Sequence, residues 1–91
     1  MFTQFEEEVL VKETVTHTHR LIVHNDNINT FDWVILALIE VCKHSMEQAE
    51  QCSLFIHYKG KYAVKQGDFT SLNNMRIAIS ERGIGVTVEE I

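Results

Sequence analysis

HRLIVHNDNINTFDWVILALIEVC, residues 19–42, contains both hydrophobic periods from which the fold can be read. His19 to His24 is a short apolar run, rich in β-branched residues, that stops at Asn25-Asp26-Asn27, the pattern of a buried strand running into a loop. Thr30 then precedes Phe31, Val34, Ile35, Leu38, Ile39 and Cys42, which recur at helical spacing, with Asp32 in the first turn and Lys43 and His44 placed for the last. A strand followed by an amphipathic helix is predicted. Beyond it, Ser45 with Gln48 three residues on is a capping box, opening a second stripe of Met46, Ala49, Cys52/Ser53 and Ile56 that should stop at Gly60. Tyr62 to Lys65 predicts a strand and Gln66-Gly67-Asp68 a turn. Leu72, Met75, Ala78 and Ile79 predict a third helix ended by Gly83, and Val86-Thr87-Val88 a last strand. The order β-α-α-β-α-β predicts an α+β sandwich, three helices packed on one face of a three-stranded, largely antiparallel sheet.

Upstream of the first strand, residues 1–18 are acidic and follow neither period. They predict a flexible N-terminal tail ahead of a core domain over residues 19–91. The whole chain has 91 residues, 45% apolar and 23% charged, with no proline. That suits one folded domain and excludes a disordered or collagen-like chain. The net charge of −5 is uneven: Glu6, Glu7, Glu8 and Glu13 face only Lys12 in the first nineteen residues. An acidic chain is a poor match for nucleic acid, whose affinity comes mainly from Lys and Arg on phosphates. The longest apolar run, Trp33 to Ile39, is seven residues, against roughly 20 for a bilayer span. No secretory leader is legible, so a cytoplasmic chain with Cys42 and Cys52 as reduced, buried thiols is expected.

Signatures of catalysis are incomplete. There is no Gly-x-Ser-x-Gly, no phosphate-binding glycine loop and no Cys-x-x-Cys, and Cys42 and His44 stand two apart, where helix side chains diverge. His17 and His19 would share a face of an extended chain and His24 ends the strand, but no third ligand sits at a recognised zinc spacing, so neither a metal nor another cofactor is expected. Lys59, Lys61 and Lys65 suggest a solvated basic hairpin. The run Asn25-Asp26-Asn27-Ile28-Asn29 is richer in Asx residues than a strand-to-helix turn requires. Its acceptors stand beside the apolar stripe that begins at Phe31, an arrangement suited to a ligand with one cationic, donor-rich group and one apolar arm.

Leu21-Ile22-Val23-His24-Asn25-Asp26-Asn27, Phe31-Asp32-Trp33-Val34-Ile35, Glu50-Gln51 and His57-Tyr58-Lys59-Gly60-Lys61 together resemble the ATP-dependent Clp protease adaptor family, ClpS, over about residues 19 to 89. The resemblance implies a non-enzymatic, monomeric adaptor. It would bind the N-terminal residue of a protein marked for degradation, preferring Leu, Phe, Tyr or Trp, and hand it to the N-terminal domain of an AAA+ unfoldase, ClpA or ClpC, partnered with ClpP. Asn25 and His57 match family residues that hydrogen-bond the substrate α-amine, and Asn27 stands where the family usually has a second Asp. Asn29 and Thr30 replace a common Thr and Pro, with Asp26 in the same supporting loop. Phe31 takes the place of a gating Met and Ser53 that of another pocket Met, while Val23, Val34, Ile56 and Ile84 retain an apolar wall. Thr70 and Met75 replace a Glu and a Lys that the family uses against the unfoldase. Two other readings stand beside this one: His57 as a helix-terminal residue serving the last carbonyls, and Phe31, Val34 and Ile56 as ordinary core. The runner-up function is a ribosomal-stalk-like protein-interaction module with no amino-acid pocket.

Overall fold

The computed structural model describes residues 17–91; the greater part of the expected N-terminal tail lies outside them. The elements are β1 (His19–His24), α1 (Phe31–Cys42), α2 (Met46–Lys59), β2 (Lys61–Gly67), α3 (Phe69–Ser80) and β3 (Val86–Glu90). The strands form an antiparallel sheet in the order β2-β1-β3. The architecture is the expected α+β one. β1 is central because its middle is apolar on both faces: Leu21, Ile22 and Val23 are all buried. Leu21 and Val23 enter the main core with Leu38, Ala49, Ile56, Leu72, Ile79 and Ile84. Helix α3 lies against all three strands, α2 against β2, and α1 against α2 and α3.

Each helix start is set by its cap. Thr30, Ser45 and Asp68 have extended backbones and accept from the amides of Trp33, Gln48 and Ser71, satisfying first-turn donors that have no partner within the helix. Ser45 and Gln48 complete the capping box in both directions. Helix α2 stops at Gly60, whose φ of 86° lets its amide return to the Ile56 carbonyl.

Several boundaries and orientations depart from the sequence reading. β2 runs through Gln66 and Gly67, because β1 begins at His19 and pairs it with Gly67; Asp68 alone separates strand from helix. For the same reason β3 extends past Val88 to Glu90, the partner of His19 on the other edge. α3 ends at Ser80, before Gly83. Lys43 is the left-handed C-cap of α1, so Lys43 and His44 lie beyond its last turn. Met46 is the first residue of α2, at the rim of the core, and is 57% exposed. Phe31 likewise opens α1 and is 45% exposed, which removes it from the buried stripe. Lys65 is half-buried and not a solvated residue. The register of β2 shifts between the partners of Leu21 and Ile22, leaving Val64 as an extra residue. Such a bulge turns neighbouring side chains to one side, and Lys65 Nζ donates to the Cys42 carbonyl at 3.2 Å, at the negative end of α1.

Candidate functional site

The Asx run between β1 and α1 is held at every joint. Its first amide, Asn25 N, donates to the Gly60 carbonyl at 2.8 Å, just after His24 N has donated to Gly85 O at 2.8 Å. The loop therefore leaves the sheet between the end of α2 and the start of β3. Asp26 organises the rest of the loop: Oδ1 accepts from Ile28 N at 2.8 Å and Asn29 N at 2.7 Å, and Oδ2 accepts from Asn29 Nδ2 at 2.7 Å. The backbone amide of Asn29 first, then its side chain and the amide of Ile28, hold the Asp26 carboxyl below its ordinary pKa of 3.8. Asn29 Nδ2 also donates to Gly83 O at 2.9 Å. One helical turn on, Trp33 Nε1 donates to Arg82 O at 2.9 Å. Arg82 in turn sits 5.9 Å from the Trp33 ring and pairs with Glu40 at 2.7 Å. The loop and the first turn of α1 are thus pinned to the turn after α3.

This scaffold leaves a pocket of about 400 Å³, lined by Asn25, Asp26, Asn27, Asn29, Thr30, Phe31, Val34, Ser53, Ile56 and His57. Ten of the twelve residues singled out from sequence therefore meet around one hollow. The other two, Val23 and Ile84, are 1% and 3% exposed and belong to the hydrophobic core. The polar rim comes from the loop and from His57 on α2; the apolar wall comes from Phe31 and Val34 on α1 and Ile56 on α2. Spacing on α2 explains the second contribution: Ser53, Ile56 and His57 stand at i, i+3 and i+4, on one face. Ser53 and Ile56 are both 3% exposed, whereas His57 is open to solvent at the mouth. Its ring lies 5.2 Å from that of Phe31 at 57°, so one aromatic contact closes that side.

A rim of amides, one carboxylate and an imidazole, backed by an apolar wall, offers a ligand hydrogen bonds on one side and burial on the other. The two thiols are free and buried, and burial pushes Cys42 up to about 11 and raises Cys52 as well, the opposite of what a nucleophilic cysteine needs. Among the described residues there is no cluster of three metal-ligating side chains, and no helix is long and apolar enough to cross a membrane. The pinning roles of Trp33, Gly60, Arg82 and Gly83 were not read from sequence. Only Trp33 carried a signal, an indole N–H on the polar side of the α1 stripe that must find an acceptor.

The family model "ATP-dependent Clp protease adaptor protein ClpS" matches residues 15–84. Two curated relatives carry the same description. The chain is 33% identical over 60 residues to the adapter of Oleidesulfovibrio alaskensis, covering 64% of this chain and 58% of that one. It is 33% identical over 55 residues to that of Lawsonia intracellularis, covering 58% and 50%. The chain thus spans 50 to 58% of the length of these relatives. Among solved structures, Agrobacterium tumefaciens ClpS2 bound to L-phenylalaninamide superposes with a TM-score of 0.72 at 16% identity, over 84% of this chain and 99% of that one; at that identity the likeness speaks to the fold. With most of its length inside the family model and the fold in common, this chain belongs to the ClpS family of ATP-dependent Clp protease adaptors.

Proposed function

We propose that this protein binds the free N-terminal residue of substrate proteins and delivers them to a Clp AAA+ unfoldase and its ClpP peptidase. The observation that carries the proposal is the single hollow in which an amide, carboxylate and imidazole rim meets an apolar wall. Asn25, Asn27 and His57 take the α-amine as acceptors at the mouth, and the ligand's side chain extends along Phe31, Val34 and Ile56. Asp26 supplies negative charge nearby while its own oxygens hold the loop. L-phenylalaninamide, the ligand of the Agrobacterium protein, has this composition: a free α-amine and a benzyl arm. Substrates beginning Leu, Phe, Tyr or Trp fit the same description. The stalk-like interaction module is the poorer reading, because such a module has no use for a polar-rimmed pocket of this kind.

Fluorescence anisotropy with short peptides beginning Phe or Leu, free and N-acetylated, tests the proposal. Saturable binding that acetylation abolishes is the expected result. Absence of binding, or binding indifferent to acetylation, refutes it. On the delivery side, Thr70 and Met75 lie at the start and middle of α3, where the family resemblance puts unfoldase contacts, so the docking patch of this protein differs in charge from that of its relatives.

A further inference from the structure

Ser53 is 3% exposed, lines the pocket, and its Oγ has no hydrogen-bond partner. Buried hydroxyls are almost always paired, because leaving one unpaired forfeits its hydration without return. A serine within a helix usually bonds the carbonyl one turn back; here that bond is not made. We propose that Ser53 is a specificity-determining residue whose hydroxyl, sealed from the hollow as it stands, turns about χ1 to be completed by the substrate, so that the pocket selects an N-terminal side chain ending in a hydrogen-bonding group, tyrosine, over phenylalanine. The inference rests on the α-amine reading of the site.

The spacing along α2 supports the assignment. His57 is at the open mouth and Ser53 lies four residues earlier, about 6 Å deeper along the helix axis. A ligand whose amine meets the His57 end, and whose side chain runs back along α2, reaches the level of Ser53 at about the para position of an aromatic ring. Leucine stops short of it. Phenylalanine reaches it with a C–H and leaves the hydroxyl unpaired. A phenol reaches it with a group that both donates and accepts. Val34 on α1 and Ile56 on α2, which line the hollow with Ser53, are apolar.

The test is the affinity of four otherwise identical peptides beginning Tyr, Phe, 4-methylphenylalanine or Leu, measured by anisotropy against the full chain and against Ser53→Ala, with N-acetylated Tyr peptide as control. The expected result is a Tyr-over-Phe preference of about 2- to 12-fold, the worth of one neutral hydrogen bond. In Ser53→Ala the Tyr-over-Phe ratio falls to unity, whatever the absolute affinities become. The melting temperature does not fall, since the substitution removes a buried hydroxyl that nothing bonds. Equal binding of Tyr and Phe overturns the proposal, as does a Tyr preference matched by 4-methylphenylalanine, which would reflect size alone, or one that survives Ser53→Ala. Retained binding of the acetylated peptide overturns the amine reading itself, a failure distinct from these.

Discussion

Phe31→Ala separates two roles that one side chain can play. Full burial would make the loss about 3 to 5 kcal/mol, but Phe31 is 45% exposed, so little more than half of that is at stake. The expected cost is about 2 kcal/mol, including about 0.5 to 1.5 kcal/mol for its aromatic contact with His57. At about 4 to 8 °C per kcal/mol for a domain of this size, the melting temperature should fall by about 8 to 16 °C. The pocket changes more. Phe31 lines both the candidate site, about 400 Å³, and an adjoining hollow of about 460 Å³ formed with Ile35, Glu47, Glu50, Gln51 and Leu54. Without the ring the two merge, and side chains branched at Cβ lose the obstacle at the mouth. Peptides beginning Ile or Val should then approach Leu in affinity. Anisotropy with Leu-, Ile- and Val-peptides and a thermal melt on the same variant decide the matter. A stability loss of about 4 kcal/mol or more with an unaltered Leu-to-Ile ratio would refute the reasoning and make Phe31 a core residue.

Asp26→Ala removes the acceptor of three hydrogen bonds. Water reaches this carboxylate, so stability falls by only about 1 kcal/mol, while peptide affinity, which needs the loop in place, falls further; equal losses would deny Asp26 its organising role. Its lowered pKa has the corresponding sign: the stabilisation is present above about pH 3.8 and is lost as pH falls through the lower folded value. Cys42, raised from 9.0 to about 11 by burial and only partly offset by Lys65, contributes stability that is present below pH 9.0 and lost as pH rises toward the folded value. Urea unfolding at about pH 8 and about pH 10.5 should differ by about 2 kcal/mol more in the native chain than in Cys42→Ala, and identical slopes would sink this account. His44 is 8% exposed, its pKa lowered first by burial and then by Lys65, and its Nδ1 is unpartnered. Its contribution is present above about pH 6.5 and lost on acidification, so the drop in melting temperature between about pH 7.5 and pH 5 should shrink in His44→Phe.

β1 and the start of α1 were readable from residues 19–42 because both rest on local rules. A β-branched run ended by Asx residues and a threonine cap before an amphipathic stripe need no knowledge of the rest of the chain. The ends of β2 and β3 were not readable, since Gly67 and Glu90 are strand residues only by pairing with His19. Lys65 lies beside a bulge that exists only in the pairing of β2 with β1, and its ammonium meets the Cys42 carbonyl across the fold. The Asx run was conspicuous as an excess of polar residues. Which of its members faces a ligand and which holds the loop, as Asp26 does, depends on bonds that no spacing announces. Likewise Ser53 reads as one small residue in a helix stripe, and only its depth beside Ile56, with no acceptor or donor in reach, makes it conspicuous.

The strand order β2-β1-β3 has a consequence in time as well as in space. Among the described residues the first strand occupies the middle of the sheet, and one of its two edges is closed only by the third, His19 meeting Glu90. Until residues 86–90 have left the ribosome, Leu21, Ile22 and Val23 present a row of unpaired amides and carbonyls on an apolar strand, the kind of edge on which chains pair with the wrong neighbour. The closing step joins residues about as far apart in sequence as the described chain allows, and such contacts are the slow ones. A nascent or C-terminally clipped copy therefore displays the open edge that proteolytic quality control exists to remove.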